Sequence, residues 1–84
     1  MKLYVAKDKD GTVHLSNSKL MKPSEWYKDN PNANDEIFFI PFELIDPSTF
    51  FVMIDANIIE GLTFENSPKE VVLTIKEETK IVKL

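Results

Sequence analysis

The sequence predicts a mainly β domain, an antiparallel sheet of about five or six short strands and hairpins with one or two short helical turns. Residues 71–76 place aliphatic side chains on one face of an extended chain, which is the period-two pattern of a half-buried strand. Residues 62–65 alternate in the same way, and residues 65–68 between the two runs combine turn-forming side chains with a proline. Two short strands are therefore expected to meet at this turn.

The first predicted element is a β-hairpin formed by residues 3–6 and 12–15. Residues 8–11 connect its strands, and Gly11 can supply the positive φ that a tight turn needs. Alternation along each strand then directs the leucines and valines to one face and His14 to the other.

The connection of this hairpin invites a calcium-binding interpretation, because Asp8 and Asp10 precede Gly11 as acidic ligands precede the glycine of an EF-hand loop. The alignment puts Ala6 at the first ligand position and Asn17 where a bidentate glutamate is required. Strands, rather than helices, flank the turn. The sequence therefore favours a solvated turn that binds no metal.

Residues 17–34 are the least regular part of the chain, and the polar passage at their end, residues 29–35, is expected to form an exposed loop. Ser24 could cap one helical turn, which the nearby prolines keep short. Trp26 and Tyr27 could anchor an interaction, since such aromatic residues are enriched at binding hot spots. The favoured alternative is that Trp26 folds back to cover one open face of the sheet.

The middle of the chain is strongly apolar. Residues 36–45 have the composition of a strand, but Pro41 divides them and confines that point to an edge, a bend or a bulge. Residues 46–48 then break the run and could start a short helical turn with Asp46 as its cap. Residues 50–54 are predicted to form a further strand, buried on both faces.

Residues 55–60 are predicted to form another helical turn, which Asp55 caps and Gly61 ends in the left-handed conformation. Residues 70–76 and 81–84 are predicted to form a last hairpin across a charged connection. The predicted core draws on both sheet strands and the apolar middle: Leu3, Val5, Val13, Leu15, Phe38, Ile40, Phe51, Leu62, Phe64, Val71, Leu73 and Ile75.

Composition limits the class of protein. The 84 residues suffice for one small domain, residues 1–84, and 43% of them are apolar, which argues against disorder. The chain has no cysteine, which excludes disulfides and thiolate-bound zinc. Its start lacks the apolar core of a signal peptide, and no run approaches the ~20 apolar residues of a membrane span. We therefore expect a cytoplasmic protein that does not enter a membrane.

The charge argues against nucleic acid as a direct partner. The net charge is −4, and all ten basic residues are lysine. Arginine is the usual residue for bidentate contacts to phosphate and guanine, and the chain has none. The acidic residues are dispersed along the chain, so a mimic of nucleic acid is the less favoured interpretation.

Two separated passages resemble a known group of proteins. Residues 4–11 read Tyr-Val-Ala-Lys-Asp-Lys-Asp-Gly, and residues 62–73 contain Thr-Phe-Glu-Asn-Ser-Pro-Lys-Glu-Val-Val-Leu. Together they are similar to a loosely defined group of small proteins from bacteriophages and other bacterial mobile elements. The resemblance covers about a quarter of the chain. That group has no assigned activity, so the resemblance carries over no functional residue.

The inventory of catalytic groups is thin. There is one histidine, no cysteine, no arginine, and no glycine-rich phosphate loop or zinc-binding histidine motif. His14 lies in a predicted strand without a predicted partner, which favours a structural role. We therefore expect a protein that is not an enzyme and holds no cofactor.

Twelve of the eighteen residues between Ile37 and Ile54 are large and apolar. One small sheet with a single covered face buries about half of such a set, so either the sheet closes on itself or part of the set forms a contact. A contact with a host protein or a second copy is favoured, with Phe39 and Phe42 near it. The predicted function is a protein-interaction module; the alternative is an acidic decoy that inhibits a nucleic-acid-binding host protein, whose binding would be lost at high salt.

Overall fold

A computed structural model describes residues 2–72 and the backbone of residues 82–83. The described part of the chain is mainly β, as predicted. Its strands are β1 (Lys2–Lys7), β2 (Val13–Ser16), β3 (Phe51–Ile54), β4 (Ile59–Glu60), β5 (Lys69–Val72) and β6 (Val82–Lys83). Its helical elements are the single-turn helix α1 (Pro23–Trp26) and two 3₁₀ turns, Phe42–Leu44 and Ala56–Ile58.

The strands β1 and β2 form the predicted hairpin, with Tyr4 opposite Ser16 and Lys7 opposite Val13. Its connection closes with a hydrogen bond from the Asp8 amide to the Thr12 carbonyl, at 2.8 Å. Gly11 has a φ of +97°, the conformation for which the sequence provides glycine.

The hairpin lies at the centre of a four-stranded sheet in the order β3-β2-β1-β5, and each neighbouring pair is antiparallel. β1 therefore has a strand on both sides, whereas β3 and β5 are the edges. In a separate pair, β4 and β6 are parallel. The described backbone of β6 pairs with β4. Residues 73–81 and 84, which make up most of the predicted last hairpin, lie outside the described residues.

Apolar clusters cover both faces of this sheet, because successive residues of a strand point to opposite sides. The cluster that we call the Ile59 cluster contains Val5, Val13, Ile59 and Leu62, with Leu15, Ile54 and Val71 packed against it. The Phe38 cluster lies on the other face and contains Ala6, Leu20, Phe38 and Ile40, with Tyr4 and Phe64 packed against it. The sheet is therefore the middle layer of the fold.

Most of the predicted core is confirmed. Leu3, Val5, Val13, Phe38, Ile40 and Leu62 are buried, and Leu15, Phe64 and Val71 are partly buried. Leu20 and Ile59 are buried without having been predicted. Leu73 and Ile75 lie outside the described residues.

Phe51 is a correction to the predicted core. It is 41% exposed, because β3 is an edge strand that has a neighbour on one side only among the described strands. The prediction that residues 50–54 form a strand buried on both faces is correct for the strand and wrong for its burial.

The strand predicted over residues 36–45 is wrong. Phe39 alone pairs there, in an isolated antiparallel bridge with Met21 that two backbone hydrogen bonds of 2.9 and 3.0 Å form. Pro41 has no amide hydrogen to continue a ladder, and the chain turns into the 3₁₀ turn Phe42–Leu44 directly after it. The predicted bend at Pro41 therefore ends the extended segment.

Residues 62–65 are not a strand either. The Thr63 amide donates to Asn66 Oδ1 at 2.8 Å, and the Asn66 amide donates to Thr63 Oγ1 at 3.0 Å. These local bonds satisfy the backbone groups that a ladder would otherwise use. The turn predicted at residues 65–68 therefore begins earlier in the sequence, and it includes residues that were predicted to form the strand.

The helical turns are confirmed in part. The Asp55 carboxylate accepts a hydrogen bond from the Asn57 amide at 2.8 Å and caps the turn Ala56–Ile58. Residues 59–60 form β4 instead of continuing the turn, so Gly61, with a φ of +91°, follows a strand and does not end a helix as predicted. Residues 46–48 form a hydrogen-bonded turn that does not become helical. The helix α1 begins at Pro23 rather than after Ser24, because Glu25 Oε1 accepts from the Lys22 amide at 2.9 Å.

Candidate interaction surface

Among the described residues, the most exposed large apolar side chain lies on the 3₁₀ turn that follows Pro41. Phe42 is 82% exposed, and Leu44 and Ile45 are about half exposed. The Leu44 amide donates to the Pro41 carbonyl at 2.9 Å and the Ile45 amide donates to the Phe42 carbonyl at 3.1 Å. We call residues 42–45 the apolar knuckle. Because Ile40 and Pro41 are buried, the chain enters the knuckle from a fixed position in the core.

A hydrogen-bonded turn anchors the exit from the knuckle. Asp46 Oδ1 accepts from the Ser48 hydroxyl at 2.6 Å and from the Ser48 amide at 2.8 Å. These bonds, the hydroxyl first, hold the pKa of Asp46 below its usual value, so a negative charge stands beside the knuckle. The side chain of Asn17 joins this turn to the end of β2. Its Nδ2 donates to the Ser48 carbonyl at 2.8 Å, and its Oδ1 accepts from the Phe50 backbone amide at 3.0 Å.

A second apolar surface is the edge strand β3. Phe51, Val52 and Met53 are all exposed, and Met53 is 72% exposed. β2 pairs with one side of β3, and no strand within the described residues pairs with its other side. The sequence of β3 contains no charge, no proline and no glycine.

The structure brings together only some of the four aromatic residues that the sequence singles out. The rings of Tyr27 and Phe39 stack with their centroids 5.9 Å apart. Phe42 stands on the knuckle. Trp26 and Tyr27 line an open cleft of about 520 Å³, whose other walls come from the adjoining residues 28–31.

Trp26 does not cover a face of the sheet as the favoured alternative held. Its side chain is 39% exposed, and it belongs to neither apolar cluster. The face of the sheet that carries Ala6 is covered instead by Leu20, Phe38 and Ile40, because the segment around residues 36–40 returns to the hairpin. Trp26 and Tyr27 therefore remain available at the surface.

A buried polar pair was missed by the sequence analysis. Asp8 is only 6% exposed, and its Oδ2 lies 2.9 Å from Nε2 of His14. Asp8 Oδ1 accepts a hydrogen bond from the Phe38 amide at 2.9 Å, and the His14 ring stacks on Phe51 with centroids 4.5 Å apart. The predicted solvated turn is therefore wrong at Asp8. The pairing of the predicted hairpin could have revealed this contact, because it makes Asp8 and His14 diagonal neighbours on one face of the sheet.

This pair has the residue types of an acid–base dyad but not the access that one needs. Nε2 of His14 is occupied by Asp8, and Nδ1 is buried with no hydrogen-bond partner among the described residues. A general base must come within hydrogen-bond reach of its substrate. The pair is placed to hold the hairpin, Phe51 and residue 38 together.

The described part of the chain shows neither a cluster of metal-binding side chains nor a membrane-spanning helix. Residues 2–72 bring no group of three or more carboxylates and imidazoles close enough to hold a metal ion. Among the same residues, no helix has the length and apolar character to traverse a bilayer.

Comparison with protein-family models, with curated proteins and with solved structures gave no match to this chain.

Proposed function

We propose that this protein is a non-enzymatic interaction module that binds a host protein through the apolar knuckle, residues 42–45. The exposure of Phe42 carries the proposal. A phenyl ring that is 82% exposed on a folded turn leaves most of its apolar surface in water, and burying it in a partner would recover that surface. Leu44 and Ile45 extend the apolar area on the same turn.

The knuckle has the rigidity that an anchor needs. Its first residue follows the buried Pro41, and the two backbone bonds of the 3₁₀ turn restrain the residues that follow. A backbone held in place before binding loses less conformational entropy when the complex forms. Phe42 is therefore suited to enter a preformed pocket.

The charges around the knuckle indicate the chemistry of the partner. Glu43 lies within the knuckle and Asp46 follows it, and both are exposed. The partner that fits is a protein with an apolar pocket bordered by lysine or arginine. Such a border would add specificity and association rate, while the pocket would supply most of the affinity.

The absence of catalysis is part of the proposal and is supported by the position of His14, the only histidine of the chain. Its ring is enclosed between Asp8 and Phe51. The resemblance of residues 4–11 and 62–73 to small proteins of bacteriophages and mobile elements supports a bacterial host and action in its cytoplasm.

The experiment compares Phe42→Asp with a matched control, Val72→Asp. Val72 is 69% exposed on β5 and receives the same change of charge. Immobilised wild-type protein and V72D should capture the same protein from a bacterial lysate, and F42D should not. With the captured protein purified, F42D should bind it at least about 30-fold more weakly, the loss typical of a hot-spot residue.

Three outcomes would contradict the proposal. F42D that captures the same protein as wild type would show that the knuckle is not the contact. F42D that is unfolded by circular dichroism, with a wild type that captures nothing, would make Phe42 ordinary core. Capture that disappears for all three proteins at high salt would favour the acidic decoy, because apolar contacts survive salt and dispersed charge attraction does not.

A further inference from the structure

The two edges of the four-stranded sheet differ in how they are protected. Natural sheets block their edges with charged side chains, proline or bulges, since unpaired backbone groups otherwise recruit another strand. β5 carries Lys69 and Glu70, and Glu70 lies 3.6 Å from the Lys2 ammonium group. β3 has no such residue and exposes Phe51, Val52 and Met53.

We propose that β3 pairs with β3 of a second copy of this chain, antiparallel and about a two-fold axis that passes through Val52. The two sheets then join into one sheet of eight strands. This interface uses different residues from the apolar knuckle and does not depend on the partner proposed for it.

The register follows from the apolar run around β3. In an antiparallel sheet, directly opposite residues point to the same face, so a two-fold axis perpendicular to the sheet passes through a residue rather than between two. Residues 50–54 are all apolar, and Val52 is their midpoint. An axis through Val52 sets apolar residues opposite apolar residues over the entire run.

Neighbouring registers are worse. An axis through Met53 would set the Asp55 carboxylate opposite Phe51, and an axis through Phe51 would set Ile54 opposite Ser48. Parallel pairing would bring two copies of Asp55 side by side, and like charges in that position repel. With the axis through Val52, Asp55 lies opposite Thr49.

The side chains of β3 complement those of a second copy. With the axis through Val52, Phe51 of each copy lies opposite Met53 of the other, on the face where Phe51 stacks on His14. Thioether sulfur and aromatic rings form favourable contacts. A second copy also satisfies both unprotected edges at once and closes the assembly, because the same patch serves on each side.

The contact area of one short strand is below that of stable dimers, so the association should be concentration-dependent. Sedimentation equilibrium of the whole chain should give a mass that rises from 9.7 kDa toward twice that value as concentration increases to the millimolar range. A wild type that keeps a mass of 9.7 kDa throughout would overturn the proposal.

The variants test the position of the axis. Val52→Lys places two ammonium groups opposite each other and should weaken self-association on the order of 100-fold, because like charges at an interface cost several kcal/mol. Val72→Lys makes the same substitution on the opposite edge strand and should self-associate as wild type does. Loss in V72K with retention in V52K would place the interface on β5 and contradict the proposal.

A mixing experiment separates repulsion from misfolding. Val52→Glu alone should also be monomeric, whereas an equimolar mixture with V52K should recover the dimer mass, since the axis sets Lys opposite Glu. Failure of the mixture to associate, with both variants folded by circular dichroism, would rule out the Val52 register. Should V52K fail to fold, Met53→Lys replaces it, because Met53 is 72% exposed and its substitution should leave the fold intact. The new charge would lie opposite Phe51 of the other copy, so M53K should also fail to form the dimer.

Discussion

Asp8 joins the hairpin to a segment that is distant in sequence. One carboxylate oxygen contacts His14 across the hairpin, and the other accepts from the Phe38 amide, thirty residues away. The Lys9 amide adds a bond of 2.9 Å to the Glu36 carbonyl beside it. These contacts hold the segment that carries Phe38 against the end of the hairpin. A short polar side chain thus positions an apolar cluster.

Replacing Asp8 with alanine should lower the free energy of unfolding by about 3 kcal/mol, because the Phe38 amide and the His14 ring would remain buried without their acceptor. Urea denaturation followed by circular dichroism measures the loss. Asp10→Ala is the matched control, since Asp10 is exposed and accepts from the Thr12 amide within the same turn. Equal losses in the two variants would contradict the assigned role of Asp8.

At the scale of elements, both aspartate carboxylates in the connection between β1 and β2 form hydrogen bonds with other groups of the protein. Asp8 is committed to His14 and Phe38, and Asp10 Oδ1 accepts from the Thr12 amide at 2.9 Å. That bond, together with the other contact of Asp10 to Thr12, lowers the pKa of the Asp10 carboxyl group. The two aspartates therefore face different partners and do not converge on one point.

We accordingly expect no calcium dependence at this turn. The melting temperature in millimolar calcium should equal that in chelator, because a ligand that binds only the folded state would raise it. Differential scanning calorimetry of the wild type makes the comparison. A shift of several degrees that Asp8→Ala or Asp10→Ala abolishes would reveal a site at the turn.

At the scale of the whole molecule, the two apolar clusters share the strand β1. Val5 belongs to the Ile59 cluster and Ala6 belongs to the Phe38 cluster, and neither residue is exposed. Neither layer can therefore lose its packing without disturbing the strand that supports the other. Because apolar residues cover both faces of the sheet, part of the apolar segment 37–54 is buried, while the knuckle and β3 stay exposed.

Truncation in either cluster should destabilise the molecule as one unit. Phe38→Ala should cost about 3–5 kcal/mol and Leu62→Ala about 2–5 kcal/mol, the range for large buried side chains. In each variant, urea unfolding followed by circular dichroism and by Trp26 fluorescence should give coincident transitions. A two-step transition in circular dichroism would show that the layers unfold independently.

Local chemistry in the sequence predicted much of the fold. The hairpin around Gly11, the turn capped by Asp55, the strand character of β3 and β5 and most of the core were all read from short-range patterns, because alternation, capping and positive φ act between neighbouring residues. For the candidate surfaces, the sequence identified the apolar excess of residues 37–54 and singled out Phe42.

The tertiary structure alone decided which of these residues are covered. Residues 36–45 have strand composition, yet within the described part of the chain they pair only through the bridge between Phe39 and Met21, and the chain then turns at Pro41. Phe51 is exposed because β3 lies at an edge, and Asp8 is buried because the segment around Phe38 returns to it. Pairing partners and burial depend on contacts between distant parts of the chain, which compete for a limited number of positions in the sheet. Patterns among neighbouring residues therefore cannot predict which segments obtain those positions.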